Sequence, residues 1–316
     1  MIRDFSTNAT PALRARAEAW AALGDDTPEV PPARPAATVM LVRDAPDGGE
    51  PGLEVFMLLR VGTMAFAPNT MVFPGGGVDR RDGVDVPWAG PPVTAWSARL
   101  GADDELTRMI LVAAVREVFE ECGVLLASTT EDGRLVDTDN DYWRSVRARL
   151  VAQEISLAEL LNEDGLVLRT DLLRAHAQWM TPAIETRQFD ARIFVALMPR
   201  GAVADFATSE ASHGGWFRPQ EVLDAKAAGS ALLMPPTQVI PGMPKALPNT
   251  TFAVLRPTPG KVTKSSSRPG TSPSKRSTRA WPSLMRESVL ALKKPVERMI
   301  SSSSARSAAA YSAAVR

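Results

Sequence analysis

A single cysteine in 316 residues, Cys122, excludes an intramolecular disulfide and fits a reducing compartment. Histidine is almost as scarce. His176 and His213 lie far apart in sequence, and no Cys/His zinc spacing exists. No window approaches the roughly eighteen uninterrupted apolar residues of a membrane span, and no apolar run follows Arg3 and Asp4. A cytoplasmic protein with no membrane partner is therefore expected. Acidic residues all but vanish from residues 246–316, which hold 13 Lys/Arg against 2 Asp/Glu. The preceding 245 residues hold 23 basic and 34 acidic side chains, so the formal net charge of zero hides an acidic body and a basic tail. Counterion release needs clustered Lys/Arg, and such a body argues against nucleic acid as a partner.

What is present is an ordinary globular composition, 45% apolar and 23% charged, long enough to bury a substantial core. Residues 1–35 read as an N-terminal extension: a helical stretch over 10–24 closed by Gly24, then a Pro-rich linker from Thr27 to Pro35. Residues 36–245 form the expected main domain. Ala36–Arg43 and Leu53–Arg60 read as strands joined by a hairpin at Asp47-Gly48-Gly49. Met71–Phe73 reads as a third strand, stopped by Pro74 and the turn Gly75-Gly76-Gly77. Residues 83–105 read as a long loop or partly helical insertion carrying Trp88 and Trp96. Leu106–Cys122 is the strongest helix, ended by Gly123. Asp141–Leu161 and Arg169–Gln178 also look helical, Arg192–Met198 and Gly215–Arg218 look like strands, and Pro219–Ala228 opens as a helix with Pro near N1. The expected class is α/β, a mixed sheet covered by helices. Residues 246–316 are low-complexity, with Ser265-Ser266-Ser267 and Ser301 to Ser304, and fit a disordered tail. A shifted reading frame and a functional basic tail that grips RNA are the other readings.

The helix over 106–122 carries the chemistry. At 100° per residue, Leu111, Val112, Val115, Val118, Phe119 and Cys122 share one apolar stripe, and Glu117, Glu120 and Glu121 share the opposite face. Three carboxylates at i, i+3 and i+4 repel one another. A hard divalent cation with oxygen ligands offsets that directly. The bland alternative is a solvated Glu-rich face with Arg116 paired to Glu120.

The company these residues keep favours the cation. Phe73-Pro74-Gly75-Gly76-Gly77 is followed by Arg116-Glu117-Val118-Phe119-Glu120-Glu121-Cys122-Gly123-Val124. This resembles the Nudix box, G-x5-E-x7-R-E-U-x-E-E-x-G-U with U apolar. From Arg116 to Val124 every specified position matches. Gly76 stands at the opening glycine, Asp82 replaces the first Glu, and 33 residues separate Asp82 from Arg116 where the motif has 7, an insertion of 26. The peroxisomal acyl-CoA-diphosphatase branch of the family also interrupts its box here and has Asp at this position. Trp179-Met180-Thr181-Pro182, Phe189-Asp190-Ala191-Arg192, Trp216 and Leu233-Met234-Pro235-Pro236 extend the likeness over roughly residues 36–240.

The resemblance implies a Nudix α/β/α sandwich with its insertion at about 83–108. It also implies hydrolysis of a diphosphate in a nucleoside diphosphate linked to another moiety, with CoA or acyl-CoA indicated and ADP-ribose, NADH or diadenosine substrates left open. Glu117, Glu120 and Glu121 would hold Mg²⁺ or Mn²⁺, and Arg116 would lock them by ion pairing. Gly76 and Gly77 would let the backbone approach the site. Glu210, six residues before Trp216, is the candidate general base. Asp82 is either a ligand or a loop brace, and Arg60, at a strand end, is placed to meet a phosphate. Cys122 reads as packing and His213 as a loop residue. Trp88 and Trp96 are placed to stack on a base or cap the site, with packing as the other reading. A homodimer is compatible with all of this. A non-catalytic Nudix-fold nucleotide sensor is the principal alternative, and the intact glutamate set speaks against it.

Overall fold

The computed structural model describes residues 11–24, 28–45, 52–64, 67–129, 133–185, 187–239 and 253–255, all within one compact unit, Met1–Arg256. The Asp47-Gly48-Gly49 turn and all of the basic tail except Ala253–Leu255 lie outside them.

The chain opens with α1 (Pro11–Ala22) and then enters the sheet. β1 (Arg34–Asp44) and β2 (Leu53–Arg60) pair antiparallel, with Val42 opposite Val55, so the expected hairpin partners are in place. β3 (Thr70–Val72) pairs with the far end of β2. β4 is Gly75–Gly77 itself, antiparallel to β1 with Ala37 opposite Gly76. The triple glycine is therefore a short strand and not the turn expected from its composition; without side chains it can lie flat against β1 beneath a helix.

The insertion is compact. A single 3-10 turn, Arg80–Gly83, is followed by β5 (Trp88–Ala89) and α2 (Val93–Leu100). Then comes α3 (Asp104–Cys122), capped by Asp103, whose side chain accepts from Leu106 N–H, and closed by Gly123 in the left-handed region at φ 73°. Both caps are those expected for a helix that must stop cleanly. After β6 (Ala127–Thr129), the segment read as one helix over 141–161 is two, α4 (Asp141–Val151) and α5 (Leu157–Glu163). Ser156 caps the second in a capping box with Glu159, a signal present in the sequence.

β7 (Leu166–Arg169) leads to β8 (Leu173–Met180), where a helix was expected. The Leu/Arg/Ala/Gln composition favours helix, but Leu173, Ala175 and Ala177 alternate inward against β9 (Phe189–Leu197), and the ladder prevails over intrinsic propensity. β10 (Ala211–Phe217), α6 (Pro219–Ala227, with Pro at N1), β11 (Leu232–Leu233), α7 (Pro235–Val239) and β12 (Ala253–Leu255) complete the described elements.

The main sheet runs β11-β3-β2-β1-β9-β8-β12, with β10 also paired to β2 and β4 to β1. β1 and β9 are parallel, so the sheet is mixed, and a smaller sheet orders β5-β7-β6. The class is α/β, as expected. Ala37, Val39 and Leu41 of β1 share one core with Leu111, Val115, Val118 and Phe119 of α3. Trp96 of α2 is buried in that core, edge-on to Phe194, which rules it out as a cap over a ligand. Cys122 is fully buried, and burial pushes its thiol well up, as packing and not a nucleophile requires. No helix among the described residues is long and apolar enough to cross a membrane.

Candidate active site

Helix α3 lies against β1 and β4 with almost its whole circumference covered. The glutamate face is covered too: Glu117 is 9% exposed and Glu121 6%. A solvated Glu-rich face is therefore excluded for these two. Gly76 explains how Glu117 fits, because a Cβ there would stand 2.5 Å from Glu117 Oε1. At Gly75 a Cβ would stand 2.4 Å from the Ala37 carbonyl oxygen, and the Gly75 N–H donates to Glu121 Oε2 at 2.8 Å. Gly77 has open space where a Cβ would go; its contribution is a carbonyl that accepts from Arg116 Nη2 at 2.9 Å.

Arg116 is the hub. Its Nε and Nη2 donate to the two Asp82 oxygens at 2.9 and 3.0 Å, and its Nη1 donates to Glu117 Oε1 at 2.9 Å and Glu120 Oε2 at 3.1 Å. Burial opposes its charge, but Asp82, Glu117 and Glu120 outweigh that and hold its pKa above the ordinary value. Asp82 is 2% exposed and also accepts from Asp79 N–H at 2.8 Å, in a capping box that shapes the 3-10 turn. Both of its oxygens are committed to this brace. In this arrangement Asp82 acts as a brace between Arg116 and the 3-10 turn.

The carboxylates pay for burial in acidity. Desolvation pushes Glu117 up to about 7, with Arg116 offsetting part of it. Glu120 is raised for the same reason. Glu121 is raised well above the ordinary range by burial and by the charge of Glu117, against the pull of the Gly75 N–H. Glu210 and Arg60 act electrostatically on Glu121 as well, so the loop before β10 and the end of β2 converge on α3. Arg60 Nη2 stands 3.9 Å from Glu210 Oε2, and Arg60 Nε is buried without a hydrogen-bond partner. Glu210 is 52% exposed at its side chain, and its carbonyl accepts from Val61 N–H.

No group of three or more His, Cys, Asp or Glu among the described residues is arranged to hold a metal ion. The geometry explains why: Glu117 and Glu120 are turned onto Arg116 and Glu121 onto Gly75 N–H. In donor chemistry the set fits a hard cation well, being three carboxylates with raised pKa values, two of them buried and Glu120 partly so. Side-chain rotation off Arg116 and Gly75 is what ligation would require.

The sequence reading missed three features here. Gly75 was hidden among three adjacent glycines. Arg147 of α4 donates from Nε to the Glu120 carbonyl at 3.0 Å and from Nη1 to Asp205 Oδ1 at 2.7 Å, and Asp205 N–H donates to the Cys122 carbonyl at 3.0 Å. This clamp ties the end of α3 to the loop that leads to Glu210, and no local spacing announces it. His213, expected in a loop, lies in β10 opposite Leu59, with its ring stacked 6.3 Å from Phe206. Trp88 is half-buried and its Nε1 donates to the Pro91 carbonyl, a packing role.

No protein-family profile matches the chain. A Caenorhabditis elegans protein named putative nudix hydrolase 7 is 35% identical over 182 residues, covering 58% of this chain and 52% of that protein. The acyl-coenzyme A diphosphatase NUDT19 of Xenopus laevis is 27% identical over 225 residues, covering 58% of this chain and 57% of that protein. The chain thus spans little more than half the length of the curated relatives it matches. Among solved structures, a Nudix hydrolase from Alicyclobacillus acidocaldarius superposes with a TM-score of 0.54 at 25% identity, over 66% of this chain and 89% of that one.

Proposed function

We propose that this chain, a homologue of the Nudix hydrolases with a Nudix-type α/β fold, hydrolyses a diphosphate linkage within a nucleoside diphosphate joined to another moiety. Glu117, Glu120 and Glu121 hold Mg²⁺ or Mn²⁺ for that reaction. The observation that carries the reading is the gathering of three neighbouring carboxylates of α3, two of them buried, beside a side-chain-free strand, an arrangement whose ionised form calls for a cation. When bound, the cation polarises phosphoryl oxygens and neutralises the charge that develops on them.

The chain's own groups supply position and proton transfer. Arg116 ties α3 to the 3-10 turn through Asp82 and to the glycine strand through the Gly77 carbonyl. Gly75 N–H orients Glu121, and Gly76 admits Glu117. Glu210, exposed on its loop yet electrostatically linked to Glu121, takes the proton of the attacking water as general base. Arg60, beside Glu210 with an unpartnered Nε, meets a phosphate oxygen.

CoA or acyl-CoA is the proposed substrate, with a phosphopantetheine and an adenosine bisphosphate as products; the likeness to an acyl-coenzyme A diphosphatase supports it. The buried free thiol of Cys122 fits a cytoplasmic setting. Purified full chain incubated with CoA, acyl-CoA, NADH and ADP-ribose, in Mg²⁺, in Mn²⁺ and in chelator, tests this. Metal-dependent release of the bisphosphate from CoA or acyl-CoA is expected. A folded protein that cleaves none of the four would overturn it in favour of a nucleotide sensor.

A further inference from the structure

A pocket of about 360 Å³ opens where β1 and β9 begin, lined by Pro31, Pro32, Arg34, Arg187, Gln188 and Phe189. It is built from both strands: Arg34 N–H donates to the Gln188 carbonyl at 2.9 Å, and Arg34 is opposite Phe189 in the parallel register. Gln188 is buried, and its Nε2 donates to the Pro182 and Glu185 carbonyls, which sets the loop that presents Arg187. Two arginines, Arg34 and Arg187, are among the residues that line the pocket, and no Asp or Glu is. The nearby Glu185 is spoken for by Arg16 of α1 at 2.9 Å. Neither the Arg34 nor the Arg187 side chain has an ion-pair or hydrogen-bond partner among the described residues.

The same strand connects this pocket to the glutamates. Thr38 of β1 is opposite Gly75, whose N–H holds Glu121, and Val78 N–H donates to the Pro35 carbonyl one residue from Arg34. Four residues of extended chain separate Arg34 from Thr38, roughly 13 Å at the usual strand rise. An extended nucleotide spans such a distance.

We propose that this pocket is a second anion subsite that takes a phosphomonoester carried by the nucleoside end of the substrate, away from the scissile diphosphate. Arg34 and Arg187 grip the phosphate through their forked donors. The proline and Phe189 faces give the adjoining nucleoside an apolar wall. The proposal rests on the hydrolase reading for its substrate and adds a reason for discrimination: a nucleotide with the extra phosphate is held at two points, one without it at a single point.

The test separates binding from turnover. The full chain with Glu120→Gln is titrated calorimetrically, in chelator, with adenosine 3′,5′-bisphosphate and with AMP. The bisphosphate is expected to bind at least about tenfold more tightly, the equivalent of one good charge-assisted hydrogen bond. Arg34→Met and Arg187→Met should each remove most of that advantage while leaving AMP binding and the thermal midpoint unchanged, since both arginines are exposed. In the otherwise unaltered chain with Mg²⁺, the same substitutions should raise KM for CoA and not for 3′-dephospho-CoA. Equal binding of bisphosphate and AMP, or an advantage that survives both substitutions, would overturn the subsite. If no diphosphate is cleaved but the bisphosphate still binds through Arg34 and Arg187, the subsite stands and the hydrolase reading alone falls.

Discussion

Replacing Asp82 with Asn tests whether that residue braces the loop or binds the cation. Asp82 Oδ1 accepts from Arg116 Nε, while Oδ2 accepts from both Arg116 Nη2 and Asp79 N–H. An amide offers one acceptor atom and one donor, so in either orientation its NH₂ faces an N–H of Arg116 or of both partners. At 2% exposure no water relieves the mismatch. Removing one member of a buried ion pair costs about 3–5 kcal/mol. Arg116 keeps Glu117, Glu120 and the Gly77 carbonyl, which places the expected loss at the lower end, about 3 kcal/mol. For a domain of this size that lowers the thermal midpoint by roughly 6–12 °C. The assay is urea and thermal unfolding of the metal-free protein, followed by Mg²⁺ titration of whatever remains folded. A change below about 0.5 kcal/mol, the scale of an inconsequential surface substitution, together with lost Mg²⁺ binding, would refute the reasoning and make Asp82 a ligand.

Adjacent glycines should behave oppositely. Gly76→Ala drives a methyl to within 2.5 Å of Glu117 Oε1 and should cost about 1–3 kcal/mol with a large loss of turnover. Gly77→Ala meets open space and should leave both stability and turnover near those of the parent in the same assays. Glu210→Gln, at a side chain 52% exposed, should change stability by less than about 0.5 kcal/mol yet lower kcat by roughly 10²–10⁴-fold, seen by comparing kinetics with urea midpoints. The metal-free protein should lose stability as pH rises. Burial lifts Glu117 from its ordinary 4.5 to about 7, so the folded state holds a proton that the unfolded chain releases. The resulting stability is full below 4.5 and is lost as pH passes through about 7. Because the cation needs ionised ligands, added Mg²⁺ should raise the midpoint more at about pH 8 than at about pH 5.5, which differential scanning fluorimetry reads directly.

Much of this was legible in the sequence because it is encoded locally. The Gly123 stop of α3, the apolar stripe from Leu111 to Cys122, and Pro219 at the start of α6 are each short-range signals that the structure repeats, whereas α3 begins at Asp104, capped by Asp103, two residues ahead of the expected start at Leu106. The split of α4 from α5 was equally local, in the Ser156–Glu159 box, but was outweighed by a continuous helical composition. β8 was hidden for a different reason. Ala, Leu and Gln serve in helices as readily as in a small-residue strand, and only pairing with β9 decides between them. At the site, spacing placed Glu117, Glu120 and Glu121 on one helical face but gave no warning that this face is buried. That depends on β4 lying against β1, a contact made across the sequence. The Arg147–Asp205 clamp, 58 residues apart, belongs to the same category.

The central claim is that Glu117, Glu120 and Glu121 of α3 would hold a cation that assists the chain's hydrolysis of a diphosphate. Steady-state cleavage of CoA by the full chain and by Glu120→Gln, side by side in saturating Mg²⁺, tests it most directly. Glu120 is the least buried of the three, and its only hydrogen bond from a described side chain comes from Arg116, so the amide should fold normally. The account predicts metal-dependent cleavage by the parent chain and a loss of at least about 10²-fold in kcat for the variant. Equal turnover by the two, or turnover by the parent that persists in chelator, would contradict it.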